Sequence, residues 1–192
     1  MKRVFVGVKL PEDITRSLET LQAGLSGVRL ISPENIHLTL RFVGSINEPQ
    51  LRDLDCILSK LEFDEFFLKL GGVGVFPLRG APQVIWVGVT PNRSLVRFQA
   101  LIENKCRSIG LKADSRNYHP HVTLGRIKYR RQNQISNWLN NHRMFKSEDF
   151  LLSDFSLFQS ILNSSGSIYN CISNYKLAIN HEFYDFGGED DL

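Results

Sequence analysis

The residues best suited to chemistry come as two matching pairs, His37 with Thr39 and His121 with Thr123, each inside a His-apolar-Thr-Leu tetrapeptide. Side chains of an extended strand alternate between faces, so His37 and Thr39 share one face while Ile36, Leu38 and Leu40 share the other. The second copy behaves the same way, with Val122 and Leu124 on the buried parity opposite His121 and Thr123. Bringing the two strands together would set two imidazoles and two hydroxyls around one small space. That set suits in-line displacement at a phosphodiester. One histidine takes a proton from water, the other protonates the departing oxygen, and the threonines donate to the non-bridging oxygens. An ordinary imidazole pKa of about 6.5 lets one ring be neutral and the other charged at the same pH.

Other chemistries fit less well. A zinc centre needs three or four ligands, yet there is no His-Glu-x-x-His, neither motif contains cysteine, and Asp114, the nearest carboxylate, is out of strand register. No metal and no cofactor are expected. Acyl transfer would need a serine in a nucleophile elbow, and none is present. Gly71, Gly72 and Gly74 read as a strand bulge, with phosphate cradling as the alternative, although neither the P-loop nor the dinucleotide-binding glycine spacing is there. His119 is expected to make a structural hydrogen bond, because Pro120 disturbs its strand, while His142 and His181 stand alone. By alternation Arg41 shares the face of His37 and is a candidate phosphate ligand. Phe42 and Arg126, each five residues past its histidine, should face the core.

The two histidines lie 84 residues apart, too far for a local metal finger and suited to one strand in each half of a duplicated domain. Strands are expected over Arg3 to Val8, Val28 to Ile31, Ile36 to Val43, Phe66 to Phe76 and Val84 to Val89, and in a long hairpin from Phe150 to Leu162 and Ile168 to Ile179. Apolar spacings of three and four predict helices over Glu12 to Leu25, Glu48 to Leu61, Ser94 to Ile109 and Gln134 to His142, the third capped by Ser94. These units fall into two sets, one ending near Pro77 and one starting near Pro82. The expected fold is α+β: a single domain over 1–192 of two similar lobes, each a mainly antiparallel sheet with helices outside, and an active-site cleft between the sheets.

With 192 residues, 42% of them hydrophobic, the chain can bury a substantial core. The net charge of +3 permits a polyanionic partner without requiring one. Lys128-Tyr129-Arg130-Arg131 reads equally as a solvated loop or as a contact for an RNA backbone. Three widely spaced cysteines argue against a disulfide framework and for a reducing cytoplasm. No apolar run is long enough to span a membrane, and residues 187–192 are expected to form a flexible acidic tail.

The tetrapeptide pair, the block His119-Pro120-His121-Val122-Thr123-Leu124-Gly125-Arg126, and the stretches Leu70 to Pro77 and Val84 to Val89 together resemble the two-histidine phosphoesterases. Within them the chain is similar to the bacterial and archaeal RNA 2',3'-cyclic phosphodiesterases, historically called 2'-5' RNA ligases, from Arg3 to about Ile179. The resemblance implies a metal-free enzyme that opens a terminal 2',3'-cyclic phosphate to a 2'-phosphate on RNA 3' ends or small cyclic-phosphate nucleotides. It implies His37 as proton donor, His121 as the base that activates water, Thr39 and Thr123 holding the phosphate, Arg126 at the phosphate and Phe42 near the base. No protein partner is implied and a monomer is expected. A 2'-5' oligonucleotide phosphodiesterase or ligase, or a non-catalytic RNA-end binding module, would use the same residues.

Overall fold

The computed structural model describes residues 1–114, 116–128, 132–163 and 166–179. The tail expected at 187–192, His181 and residues 129–131 of the basic run lie outside the described residues. The strands are β1 (Lys2–Lys9), β2 (Val28–Leu30), β3 (His37–Ile46), β4 (Phe66–Phe76), β5 (Val84–Val89), β6 (His121–Ile127), β7 (Lys146–Leu152), β8 (Asp154–Asn163) and β9 (Gly166–Lys176). The helices are α1 (Glu12–Gln22), α2 (Glu48–Ser59), α3 (Arg93–Ser108) and α4 (Gln132–His142). Asn92, not Ser94, caps α3, its side chain accepting from the Leu95 amide at 2.9 Å.

All neighbouring strands are antiparallel, in the order β7-β4-β5-β6-β3-β1-β8-β9, with β2 added on β6. The sheet is nearly cut in two at its middle, because β3 and β6 pair only through Leu38 and Val122. These are the apolar residues inside the two His-apolar-Thr motifs, and both are fully buried. The α+β fold of two lobes is therefore present, with one half made of β3, β1, β8 and β9 and the other of β6, β5, β4 and β7.

Chain order and lobe membership differ. Strand β4 belongs with the second half, and the β8–β9 hairpin returns to the first. The alternating run expected as one strand from Phe150 to Leu162 is two, broken at Ser153, and its parts sit in different halves of the sheet. Alternation reports which face a residue takes, not which strand lies beside it.

The helices cross over as well. Helix α1 follows β1 yet packs on β7, and α3 follows β5 yet packs on β3. Phe98 of α3 meets Phe155 of β8 with ring centroids 5.2 Å apart, and the Tyr175 hydroxyl of β9 donates to Asp55 of α2 at 2.5 Å. On the other half, the Trp138 indole of α4 donates to the Leu21 carbonyl of α1 at 3.3 Å. Each half is thus clamped by a helix that arrives from its neighbour, and the sheet face between them is left open. Among the described residues no helix is long and apolar enough to cross a membrane.

Candidate active site

Both histidine strands break their alternation at the same place. Along β3, Thr39 pairs with Gly7 and Arg41 with Val6, so Leu40 is an extra residue; along β6, Thr123 pairs with Trp86 and Gly125 with Ile85, so Leu124 is extra. An inserted residue inverts the parity of everything beyond it. His37, Thr39, His121 and Thr123 keep the faces expected of them and line one cleft, whereas Phe42 and Arg126 are turned from the core into that cleft. Arg41 goes the other way.

The rings are wired alike. The Nδ1 atom of His37 lies 2.7 Å from the carbonyl oxygen of Asn35, and Nδ1 of His121 lies 2.7 Å from that of His119. A carbonyl only accepts, so each Nδ1 carries the proton and each Nε2 is the group that exchanges one. The bond at His119 is accepted by its backbone carbonyl and is not the side-chain hydrogen bond expected of this residue, whose exposed ring packs 5.0 Å from the Trp86 ring. His37 is enclosed by the rings of Phe5 at 4.7 Å and Tyr169 at 4.9 Å; His121 meets Phe76 edge-on at 4.9 Å and is nearer solvent. Burial lowers the pKa of both, against the opposing pull of their carbonyl partners, and the nearby charge of His121 lowers His37 further.

The cleft has two chambers of about 600 and 620 Å³ that share Thr39, Phe42, Arg116, His121, Thr123 and Arg126. The first chamber adds Arg3, Arg29 and Tyr169; the second adds Phe76, Tyr118 and His119. Arg116 grips Asp114 through Nε and Nη2 at 3.0 and 2.9 Å and pulls its carboxyl down to about 2. Besides Asp114 and Glu103, each paired with an arginine, the polar groups around the imidazoles are guanidiniums, hydroxyls and amides, which suit an anion. Among the described residues, no three His, Cys, Asp or Glu side chains are grouped to hold a metal ion.

Residues 8–86 and 87–169 each match the family model of the LigT-like phosphoesterases, one copy per histidine. The chain belongs to the LigT-like phosphoesterase family. An RNA 2',3'-cyclic phosphodiesterase of Archaeoglobus fulgidus is 32% identical over 170 residues, covering 87% of this chain and 96% of the relative. One from Aeropyrum pernix is 33% identical over 153 residues, covering 79% and 87%. The crystal structure of TT0787 of Thermus thermophilus has the same fold, with a TM-score of 0.79 at 23% identity over 91% of this chain and 97% of that one. So does E. coli LigT complexed with 3'-AMP, at 0.76 and 22% over 92% and 98%.

In this LigT-like chain Arg41 reaches only the wall of the second chamber and its guanidinium is spent inside the protein, contrary to its strand parity. It is 4% exposed, pairs with Glu103 of α3, and donates to the carbonyls of Phe42 and Lys112. Glu103 also accepts from the Asp114 amide at 3.3 Å, so the buried pair fixes the loop that presents Arg116. Arg3, Arg29 and Arg116 were not expected in the cleft. Arg3 and Arg29 reach it through the pairing of β1 with β3 and of β2 with β6, and Arg116 through the loop that Glu103 holds, none of which a local pattern encodes; the one sequence hint is Gly125. A Cβ there would fall 2.4 Å from Val28 and 3.0 Å from the Arg29 carbonyl, so glycine is what lets β2 lie against β6.

The glycines of β4 do mark irregular pairing, with register shifts between Leu70 and Val73 and between Lys69 and Gly71. They line neither chamber.

Proposed function

We propose that this protein hydrolyses RNA terminal 2',3'-cyclic phosphate to a 2'-phosphomonoester by metal-free acid–base catalysis. The observation that carries the reading is the paired wiring of His37 and His121, each with Nδ1–H spent on a carbonyl two residues upstream and Nε2 left to one cleft. The curated relatives at about one-third identity carry that activity in their names.

In this mechanism His121 Nε2 takes a proton from water as its oxygen attacks phosphorus. The P–O3' bond breaks on the opposite side, and His37 Nε2–H gives its proton to the leaving 3' oxygen. Water's oxygen stays on phosphorus and its protons end on His121 and the phosphate, so the two rings exchange protonation states and reset through solvent. Thr39, Thr123 and Arg126 donate to the non-bridging oxygens, and Phe42 offers a ring to the terminal base. Enclosure supports the division of labour. A histidine held in an apolar pocket is a stronger acid once charged, which suits His37, and the ring nearer solvent remains the better base, which suits His121.

The deciding experiment measures turnover of a short RNA ending in 2',3'-cyclic phosphate against a 2'-5' linked dinucleotide, with and without EDTA. Hydrolysis of the cyclic end to a 2'-phosphate, unaffected by chelator, is expected. Preference for the 2'-5' linkage would support the oligonucleotide phosphodiesterase or ligase instead, and binding without turnover the RNA-end module. Activity lost in EDTA and restored by zinc or manganese would move the site to metal catalysis.

A further inference from the structure

Three guanidiniums in the first chamber, those of Arg3, Arg29 and Arg126, have no carboxylate within ion-pair distance among the described residues. Two of them are adjacent by construction, since Arg29 and Arg126 are cross-strand partners in the β2–β6 pair. Directly opposed residues in an antiparallel pair have Cβ atoms about 4.5–5.5 Å apart, and like charges there repel. Nor is β2 a loose flap that could carry Arg29 away. The buried Gln22 amide donates at 2.8 Å to the carbonyls of both Ile31 and Leu124, and the Ile31 amide donates to the Leu124 carbonyl at 2.8 Å, closing β2 onto the bulge. The fold holds two like charges side by side and supplies no described anion of its own.

Charge counting says how much anion is missing. A cyclic phosphodiester carries one negative charge, which Arg126 alone already balances. Arg29 and Arg3 remain, both on the side of the first chamber. Arg3 stands 4.8 Å from the centre of the Phe42 ring, across the chamber's other wall. The second chamber has no such surplus, because Arg41 and Arg116 there are paired with Glu103 and Asp114.

Resting on the reading above, that the cyclic phosphate sits between His37 and His121, we infer that the first chamber binds a second phosphate on Arg29, assisted by Arg3, about one nucleotide from the first. The remaining substrate chain then leaves by the first chamber and not the second. Two sources offer this chemistry: the internucleotide linkage of an RNA chain, and the 5'-phosphate of a free nucleotide.

The test compares kcat/KM for three substrates: a nucleoside 2',3'-cyclic phosphate, the same compound with a 5'-phosphate, and a dinucleotide ending in the cyclic phosphate. At least one phosphate-bearing substrate should exceed the plain nucleoside by roughly tenfold or more, as expected of a charge-assisted contact. Gain by the dinucleotide alone identifies the internucleotide linkage; gain by both identifies any phosphate at that spacing. Arg29→Gln should bring the ratio close to one, Arg29→Lys should keep part of it, and added salt should shrink it. Because Arg29 is exposed on a three-residue strand, these variants should fold.

A wild-type ratio of one would overturn the inference, as would a ratio that survives Arg29→Gln. So would an equal proportional loss on all three substrates, which would put Arg29 on the cyclic phosphate itself. Turnover of the plain nucleoside with a ratio of one sinks only the second site; no turnover of any substrate sinks the cyclic-phosphate reading beneath it.

Discussion

The two histidine strands begin alike and end differently. Strands β3 and β6 share the His-apolar-Thr-Leu sequence, the Nδ1 bond two residues back and the extra leucine after threonine. Beyond that leucine, β3 sends an arginine inward to Glu103 and an aromatic ring to the cleft, while β6 places Gly125 against β2 and sends Arg126 to the cleft. Duplication thus supplies a symmetric pair of imidazoles, and divergence after the bulge supplies the asymmetry that, on the proposed reading, suits a substrate with a phosphate on one side and a base on the other.

The strongest test of the shared part is removal of the rings. His37→Ala and His121→Ala should each lower kcat by roughly 10²- to 10⁴-fold, with the circular dichroism spectrum unchanged. The double variant should be far less than multiplicative, because acid and base act in one step. Near wild-type turnover in either single variant would end the acid–base assignment.

The divergent part is tested by two arginines that sequence alternation ranks in the wrong order. Arg126→Ala should cost about 10²-fold in kcat, the scale of one lost transition-state donor, with little change in Tm. Arg41→Ala should instead destabilise the fold by about 3–5 kcal/mol, since it strands Glu103 as an unpaired, mostly buried charge. If Arg41→Ala melted like wild type and lost only activity, the buried pair would be functional and not structural.

Those two residues also show what was legible in the sequence. Period-two alternation placed His37, Thr39, His121 and Thr123 because they precede the bulges. It misplaced Arg41, Phe42 and Arg126 because one inserted residue inverts parity, and a bulge is defined by the partner strand, not by the bulged one. The helices were legible from their apolar stripes, but not the crossover that lays α1 on β7. The Ser153 break was hidden inside an alternating run. Resemblance set Arg126 at the phosphate where alternation turned it to the core, because a match of whole motifs does not depend on counting parity across a bulge.

A smaller effect concerns pH and separates the two rings from their substrate. Burial lowers both histidines in the free protein, so at neutral pH both are largely neutral and the form with one proton is scarce. The profile of kcat/KM should be bell-shaped, with its falling limb already under way below about pH 6.5. Bound phosphate favours imidazolium, so both limbs of kcat should lie at higher pH. The limbs are macroscopic properties of the pair. A rate climbing steadily from about pH 5 to 9 would remove the general acid.

The same burial predicts the smallest effect, on stability. His37 has a folded pKa below its unfolded value of about 6.5. Between the two values the unfolded chain binds more protons, so this residue costs nothing above the unfolded value and costs progressively more as pH falls towards the folded one. Each unit of depression is worth about 1.4 kcal/mol. His37→Gln removes the titration and with it the repulsion from His121, so from pH 7 to 5 the wild type should lose more stability than the variant, carboxylates and the remaining histidines cancelling in the difference. Inorganic phosphate should narrow that difference, because an anion between the rings stabilises the charged form and binds more tightly as pH falls. Denaturant midpoints at both pH values, with and without phosphate, decide it. Parallel stability curves for wild type and variant would mean that the folded protein does not disfavour the His37 proton, and the enclosure by Phe5 and Tyr169 would then not be what separates acid from base.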